Sequence, residues 1–154
     1  MTKSQTLEAI EKARLAHIEQ MKKIDLMLRG MSVENPTSVS KMQCTFGKWL
    51  YGEQKDFIVS ILGLQFYEEL DRAHEAWHVE YAKIYALLIP KKREGFFAKV
   101  FQKSSIDTLT IDKAKAYYVD LEANTKQLLK MLEKSQRRMM ATSEAKFHST
   151  LKGL

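Results

Sequence analysis

This chain has little of what breaks helices and almost none of what crosslinks secreted folds. Two prolines and six glycines in 154 residues leave long helices free to run uninterrupted. A single cysteine cannot close an internal disulfide, which excludes a disulfide-stapled scaffold and makes a reducing cytoplasm the expected compartment. No stretch approaches the roughly 18 apolar residues of a membrane-spanning helix. The opening Met1-Thr2-Lys3-Ser4-Gln5 has no apolar signal-peptide core. Strand-like alternation, internal repeats and low-complexity blocks are also missing. So are a phosphate-cradling glycine loop and any nucleophile–base–orienter set, and the chain reads as a non-enzyme.

What is present is globular composition, 45% hydrophobic and 29% charged, enough for one domain with a real core. The net charge of +6 is uneven. From Lys126 onward stand Lys126, Lys130, Lys134, Arg137, Arg138, Lys146 and Lys152 against only Glu133 and Glu144. A basic tail can meet phosphate or an acidic protein, yet cations near a helix C-terminus also suit the helix dipole. Nucleic acid is not the expected partner.

Apolar spacing predicts a first helix over 4–29, with Leu7, Ile10, Arg14, His17, Met21, Ile24 and Leu28 as its packed seam. A loop over 32–40 and a short helix or turn over 40–51 follow. From 54 the pattern is helical to about 89, with Gly63 as a bend and Phe66, Leu70, His74, Trp77, Tyr81, Ile84 and Leu88 as a second seam. Pro90 stops that helix. A short aromatic helix over 94–103 and a turn at 104–105 lead to a last long helix from about 110, which frays past Met140. The expected fold is all-α: a four-helix-bundle-like single domain with short additional helices. Residues 1–141 form the domain and 142–154 a basic polar tail. Phe57, Tyr67, Tyr85, Phe97 and Tyr117 fall outside the seams and leave surface that a second copy could cover.

Three histidines and the cysteine stand out. His74 and His78 are four residues apart, which places two imidazoles on one helix face about 6 Å apart along the axis. His17 takes a core-facing slot in the first helix, and Cys44 opens Cys44-Thr45-Phe46-Gly47-Lys48-Trp49-Leu50-Tyr51. Singly, an interior histidine is more often a satisfied core residue, and a lone cysteine a small buried hydrophobe. Together, three imidazoles and one thiolate make a tetrahedral shell that suits zinc. Burying three imidazoles with nothing to bind costs on the order of 1–3 kcal/mol for each unsatisfied polar group. A di-iron site would need several inward carboxylates and paired Glu-x-x-His motifs; Glu75-x-x-His78 supplies one.

These residues resemble the chemoreceptor zinc-binding domain family of bacterial signalling proteins. That family is marked by a histidine in the first helix, a Cys-x-Phe/Leu-Gly-x-Trp motif and a later His-x-x-x-His. Cys44-Thr45-Phe46-Gly47-Lys48-Trp49 and His74-Glu75-Ala76-Trp77-His78 match the last two, and His17 the first. The resemblance, spanning roughly 4–135, implies zinc held by His17, Cys44, His74 and His78. Gly47 is expected to let the cysteine segment turn tightly, and the Trp49 indole to plug the bundle beside the metal.

Members of the family are cytoplasmic sensors attached to chemotaxis receptors or diguanylate cyclases. They respond to zinc or to oxidants, and some act as homodimers. No receptor hairpin or cyclase follows in this sequence. The expectation is therefore a stand-alone regulatory sensor with a signalling protein, or a second copy of itself, as partner. An interaction module in which the zinc is purely structural is the alternative.

Overall fold

The computed structural model describes residues 2–89 and 106–153. The expected aromatic helix over 94–103, the turn at 104–105 and the stop at Pro90 lie outside the described residues. Within them are six helices and no strand: α1 (Lys3–Leu28), α2 (Thr45–Tyr51), α3 (Lys55–Leu62), α4 (Leu64–Leu88), α5 (Thr108–Ala141) and α6 (Glu144–Lys152).

Helix ends follow local chemistry. A capping box between Thr2 and Gln5 opens α1. Asp107 accepts from the Thr110 amide at 2.7 Å, which starts α5 two residues ahead of the expected position. Gly63 adopts φ +87°, a conformation that costs other residues, and so splits the expected 54–89 helix into α3 and α4.

The long helices α1, α4 and α5 pack with α5 between the other two, and α2 and α3 in succession fill the fourth side, α2 against α1 and α3 against α4. The expected all-α bundle is thus the observed fold. Every residue of the second expected seam, Phe66 through Leu88, is buried. In α1 the stripe is rotated by about one position, and the buried residues are Thr6, Ile10, Ala13, His17, Gln20, Ile24 and Met27. Hydrophobicity misleads there because two polar side chains face inward with partners. Thr6 donates to the Thr2 carbonyl at 3.0 Å, and Gln20 accepts from the Thr37 amide at 2.8 Å.

Phe57 and Tyr67 are core residues, 3% and 5% exposed, so they are not free surface for a second copy. Phe57 stacks edge-on against Phe147, with ring centroids 4.8 Å apart. Tyr67 donates to the Leu50 carbonyl at 3.1 Å. Tyr85 and Tyr117 pack half-buried on the core, and Phe97 lies outside the described residues. Where the sequence suggests a polar tail beyond 141, residues 144–152 form α6, docked on α3 through fully buried Phe147. Leu151, one turn further on, packs partly buried on the same core, and together the two apolar side chains bring this amphipathic segment back onto the bundle.

No helix among the described residues is long and apolar enough to cross a membrane.

Candidate metal centre

Helix α4 presents His74 and His78 on its buried face one turn apart. Helix α1 presents His17 toward them, its ring edge-on to Trp77 at 4.6 Å between centroids. Cys44 arrives from the segment between α1 and α2, and that segment is pinned by buried polar groups. Gln20 accepts from the Thr37 amide at 2.8 Å, Tyr81 donates to the Thr37 carbonyl at 2.9 Å, and His78 Nδ1 lies 2.9 Å from the Val39 carbonyl.

Cys44 itself is the N-cap of α2, with Sγ accepting from the Gly47 amide at 3.1 Å. A thiolate at this place is favoured by the helix end. The Lys41 carbonyl lies over Gly47, where a Cβ would overlap it. Glycine is therefore required by a close backbone approach rather than by an unusual φ.

The four ligand atoms lie within 4.8 Å of one another, and all four residues are buried. Tetrahedral zinc, with bonds of about 2.0–2.3 Å, separates its ligand atoms by about 3.3–3.8 Å. Cys44 Sγ and His74 Nε2 already stand 3.3 Å apart. The set as a whole, within 4.8 Å, is slightly open relative to a closed shell.

The proton positions follow by elimination. A backbone carbonyl only accepts, so His17 donates Nδ1–H to Ala13 at 2.7 Å and His78 donates Nδ1–H to Val39 at 2.9 Å. Tyr51 must donate its O–H to the Asp71 carboxylate, 2.6 Å away, and its oxygen then accepts Nδ1–H from His74 at 3.1 Å. All three imidazoles thus keep Nε2 bare. His78 Nε2 is buried with no hydrogen-bond partner, an orphan that a metal ion would satisfy. The donor set fits zinc, and His17, Cys44, His74 and His78 are the residues that would hold it.

Electrostatics agree. Burial above all pulls His17 down to about 4 and His74 down to about 2, and lowers His78 as well. The imidazoles are therefore neutral, as ligands must be. Burial pushes the Cys44 thiol up, against the pull of the Gly47 and Phe46 amides and Lys48. Of the four, only the thiol must give up a proton to bind.

The structure brings together every residue singled out in the sequence as a ligand. His148 lies apart, exposed on α6. Trp49 does not plug the site. It stacks on Phe46, and the aromatic rings packed on the histidines are those of Phe46, Trp77, Tyr51 and Tyr81. Trp77 is locked by its Nε1–H donated to Thr125 Oγ1 at 2.9 Å. Sequence reasoning passed over Lys41, Tyr51 and Asp71. One signal was available: Asp71 precedes His74 by three residues and shares its helix face.

Residues 17–85 match the chemoreceptor zinc-binding domain family. The matched stretch takes in all four candidate ligands and stops within α4, so α5 and α6 lie beyond it. No curated protein and no solved structure matches the chain.

Proposed function

We propose, from the match of residues 17–85 to the chemoreceptor zinc-binding domain family, that this chain is a regulatory zinc protein of bacterial signalling. Its input is zinc availability, or an oxidant acting on the Cys44 thiolate. Its output is an altered contact with a chemotaxis-receptor or cyclic-di-GMP pathway protein, or with a second copy of itself. The observation that carries this reading is the buried convergence of His17, Cys44, His74 and His78, with three imidazoles whose Nδ1 atoms are each tied to an outer group.

Bound there, zinc supplies a closed link between α1, the Cys44 segment and α4. Four protein ligands leave no open position for a reacting water, so the reading is of a non-enzyme. His17, His74 and His78 bind as neutral bases, and Cys44 releases its thiol proton. That release makes occupancy depend on pH as well as on free zinc. The free thiol suits a reducing cytoplasm.

A second reading, in which the ion is purely structural, is favoured by the depth of the site, with His74 fully buried and the others no more than 5% exposed. Titration of buffered zinc, followed by circular dichroism and partner pull-down, separates the two. Regulation requires partner capture to change with occupancy and with mild oxidant, and Cys44→Ser to lose the oxidant response. An unchanged partner profile leaves only the structural module. In the same assay His74→Ala should lose bound zinc and His148→Ala should retain it; equal zinc content in the two would remove the ligand assignment.

A further inference from the structure

Two of the three histidines are oriented by backbone carbonyls, Ala13 for His17 and Val39 for His78. Only His74 is oriented by side chains. Its Nδ1 faces the Tyr51 hydroxyl at 3.1 Å, and that hydroxyl lies 2.6 Å from Asp71 Oδ1. The same carboxylate oxygen receives Lys41 Nζ at 2.9 Å. Lys41 and Tyr51 stand on either side of Cys44 in the chain, three residues before it and seven after. Asp71 on α4 therefore holds both flanks of the cysteine segment. Lys41 also lies over the Tyr51 ring, 5.2 Å from its centroid, and reaches Glu75 at 3.5 Å.

We propose that Asp71 is a positioning residue which, through Tyr51, fixes His74 as its Nδ1–H tautomer and, through Tyr51 and Lys41 together, clamps the Cys44 segment against α4, so setting how tightly and how long the site holds its metal. This rests on the metal reading above and names the regulation of that site.

The logic is one of donors and acceptors. An ionised carboxylate offers no proton, so the phenol must give it one, and the phenol oxygen is left only to accept. His74 is then obliged to place its proton on Nδ1 and its lone pair on Nε2, beside Cys44 Sγ. Without the carboxylate the phenol can reverse and donate to Nδ1, which moves the imidazole proton to Nε2 and blocks ligation. Without Lys41 and Tyr51 the Cys44 segment keeps its backbone contacts at Thr37 and Val39 but loses both side-chain ties to α4. Outer partners of this kind are worth about 10–100-fold in metal affinity.

The test compares the wild type with Tyr51→Phe, Asp71→Asn and the control Tyr67→Phe. The control removes a buried hydroxyl bonded to a carbonyl in the same region but linked to no ligand. Zinc affinity and release rate are measured by competition with a chromogenic chelator, and cobalt uptake by its visible absorption. The His74 tautomer is read from imidazole nitrogen NMR of the metal-free protein. Tyr51→Phe and Asp71→Asn should each weaken zinc about 10–100-fold, speed its release and mix the His74 tautomers. Tyr67→Phe should leave all three readouts unchanged while lowering the unfolding midpoint. The double variant should be little worse than Asp71→Asn alone, because the phenol acts with that carboxylate, whereas Asp71 also holds Lys41.

If the wild type takes up neither zinc nor cobalt, the metal reading itself is overturned and the clamp's role in it goes too. If the wild type binds but both variants bind as tightly, with the His74 tautomer unmoved, the clamp alone is overturned. If Tyr67→Phe weakens zinc as much as Tyr51→Phe, the effect belongs to packing and the proposal is wrong.

Discussion

At the scale of single residues, the candidate ligands were legible because their chemistry is scarce. One cysteine and four histidines, three of them on helix faces that count as core, leave few ways to be arranged. The groups that orient them were not legible. Lys41, Tyr51 and Asp71 belong to residue types found over any protein surface, and only their meeting at one carboxylate oxygen gives them a role. Burial works against the charge on Asp71, yet the hydrogen bonds from Tyr51 and Lys41 hold its carboxyl below the usual range. Gly47 was legible as a motif residue but for a different reason from the one that operates. The Lys41 carbonyl occupies the space where a Cβ would stand, and that carbonyl belongs to the turn that delivers Cys44. Gly47→Ala must therefore push the turn away from α2. We expect a loss of about 1–3 kcal/mol in the metal-free protein, on the scale of overpacking in a tight interior, together with a lower zinc content. Urea unfolding and elemental analysis measure the two, and a variant with wild-type values for both would mean that the turn yields freely.

At the scale of elements, the helices of the core could be read from spacing wherever the inward residues are apolar, as in α4. The reading slipped by a position in α1, where Thr6 donates to the Thr2 carbonyl and Gln20 Oε1 accepts from the Thr37 amide inside the fold, since periodicity counts greasy residues and not polar ones with an inward partner. It failed at α6, where Phe147 and Leu151 supply a single i,i+4 apolar pair in a short polar run, too brief for a periodic signal. That helix now carries an expectation of its own. Phe147 is fully buried and meets Phe57 edge-on, while Lys3 reaches the Met140 and Thr142 carbonyls at 3.0 and 2.6 Å to hold the α5–α6 turn. Truncation of a buried phenylalanine costs about 3–5 kcal/mol when the site cannot collapse. Because α6 is short and Phe147 is its one buried residue, it can undock instead, so Phe147→Ala should cost no more than the lower end, about 3 kcal/mol. Zinc affinity should stay within about threefold of the wild type, since α6 packs on α3 and touches none of the ligands. Thermal unfolding with chelator competition checks both halves. A large loss of zinc affinity would mean that α6 is coupled to the centre through α3.

At the scale of the whole molecule, the buried cluster makes the metal-free protein sensitive to acid in a defined direction. Unfolded histidine titrates near 6.5, whereas the folded chain holds His17 at about 4 and His74 at about 2, and burial lowers His78 as well. Between those values the unfolded chain binds more protons than the folded one, so stability rises with pH across the window and is lost as pH falls through it. Above about 6.5 both states carry neutral imidazoles and the contribution is fully present. Below about 4 the His17 share is gone, while that of His74 continues to erode. For His17 alone the loss is on the order of 3 kcal/mol, large against the usual stability of a domain this size. The metal-free protein should therefore show urea midpoints that are flat from pH 7 to 8 and fall steeply from 6.5 to 4. Replacing His17 with leucine should remove a good part of that slope and raise stability at pH 5, because an apolar side chain in the same slot has no proton to gain. Zinc sharpens the fall in the loaded wild type, since protons then compete for the thiolate and imidazoles as well. If the metal-free midpoint is unchanged between pH 7 and 5, the imidazoles are not enclosed as neutral bases, and the centre described here is open to water.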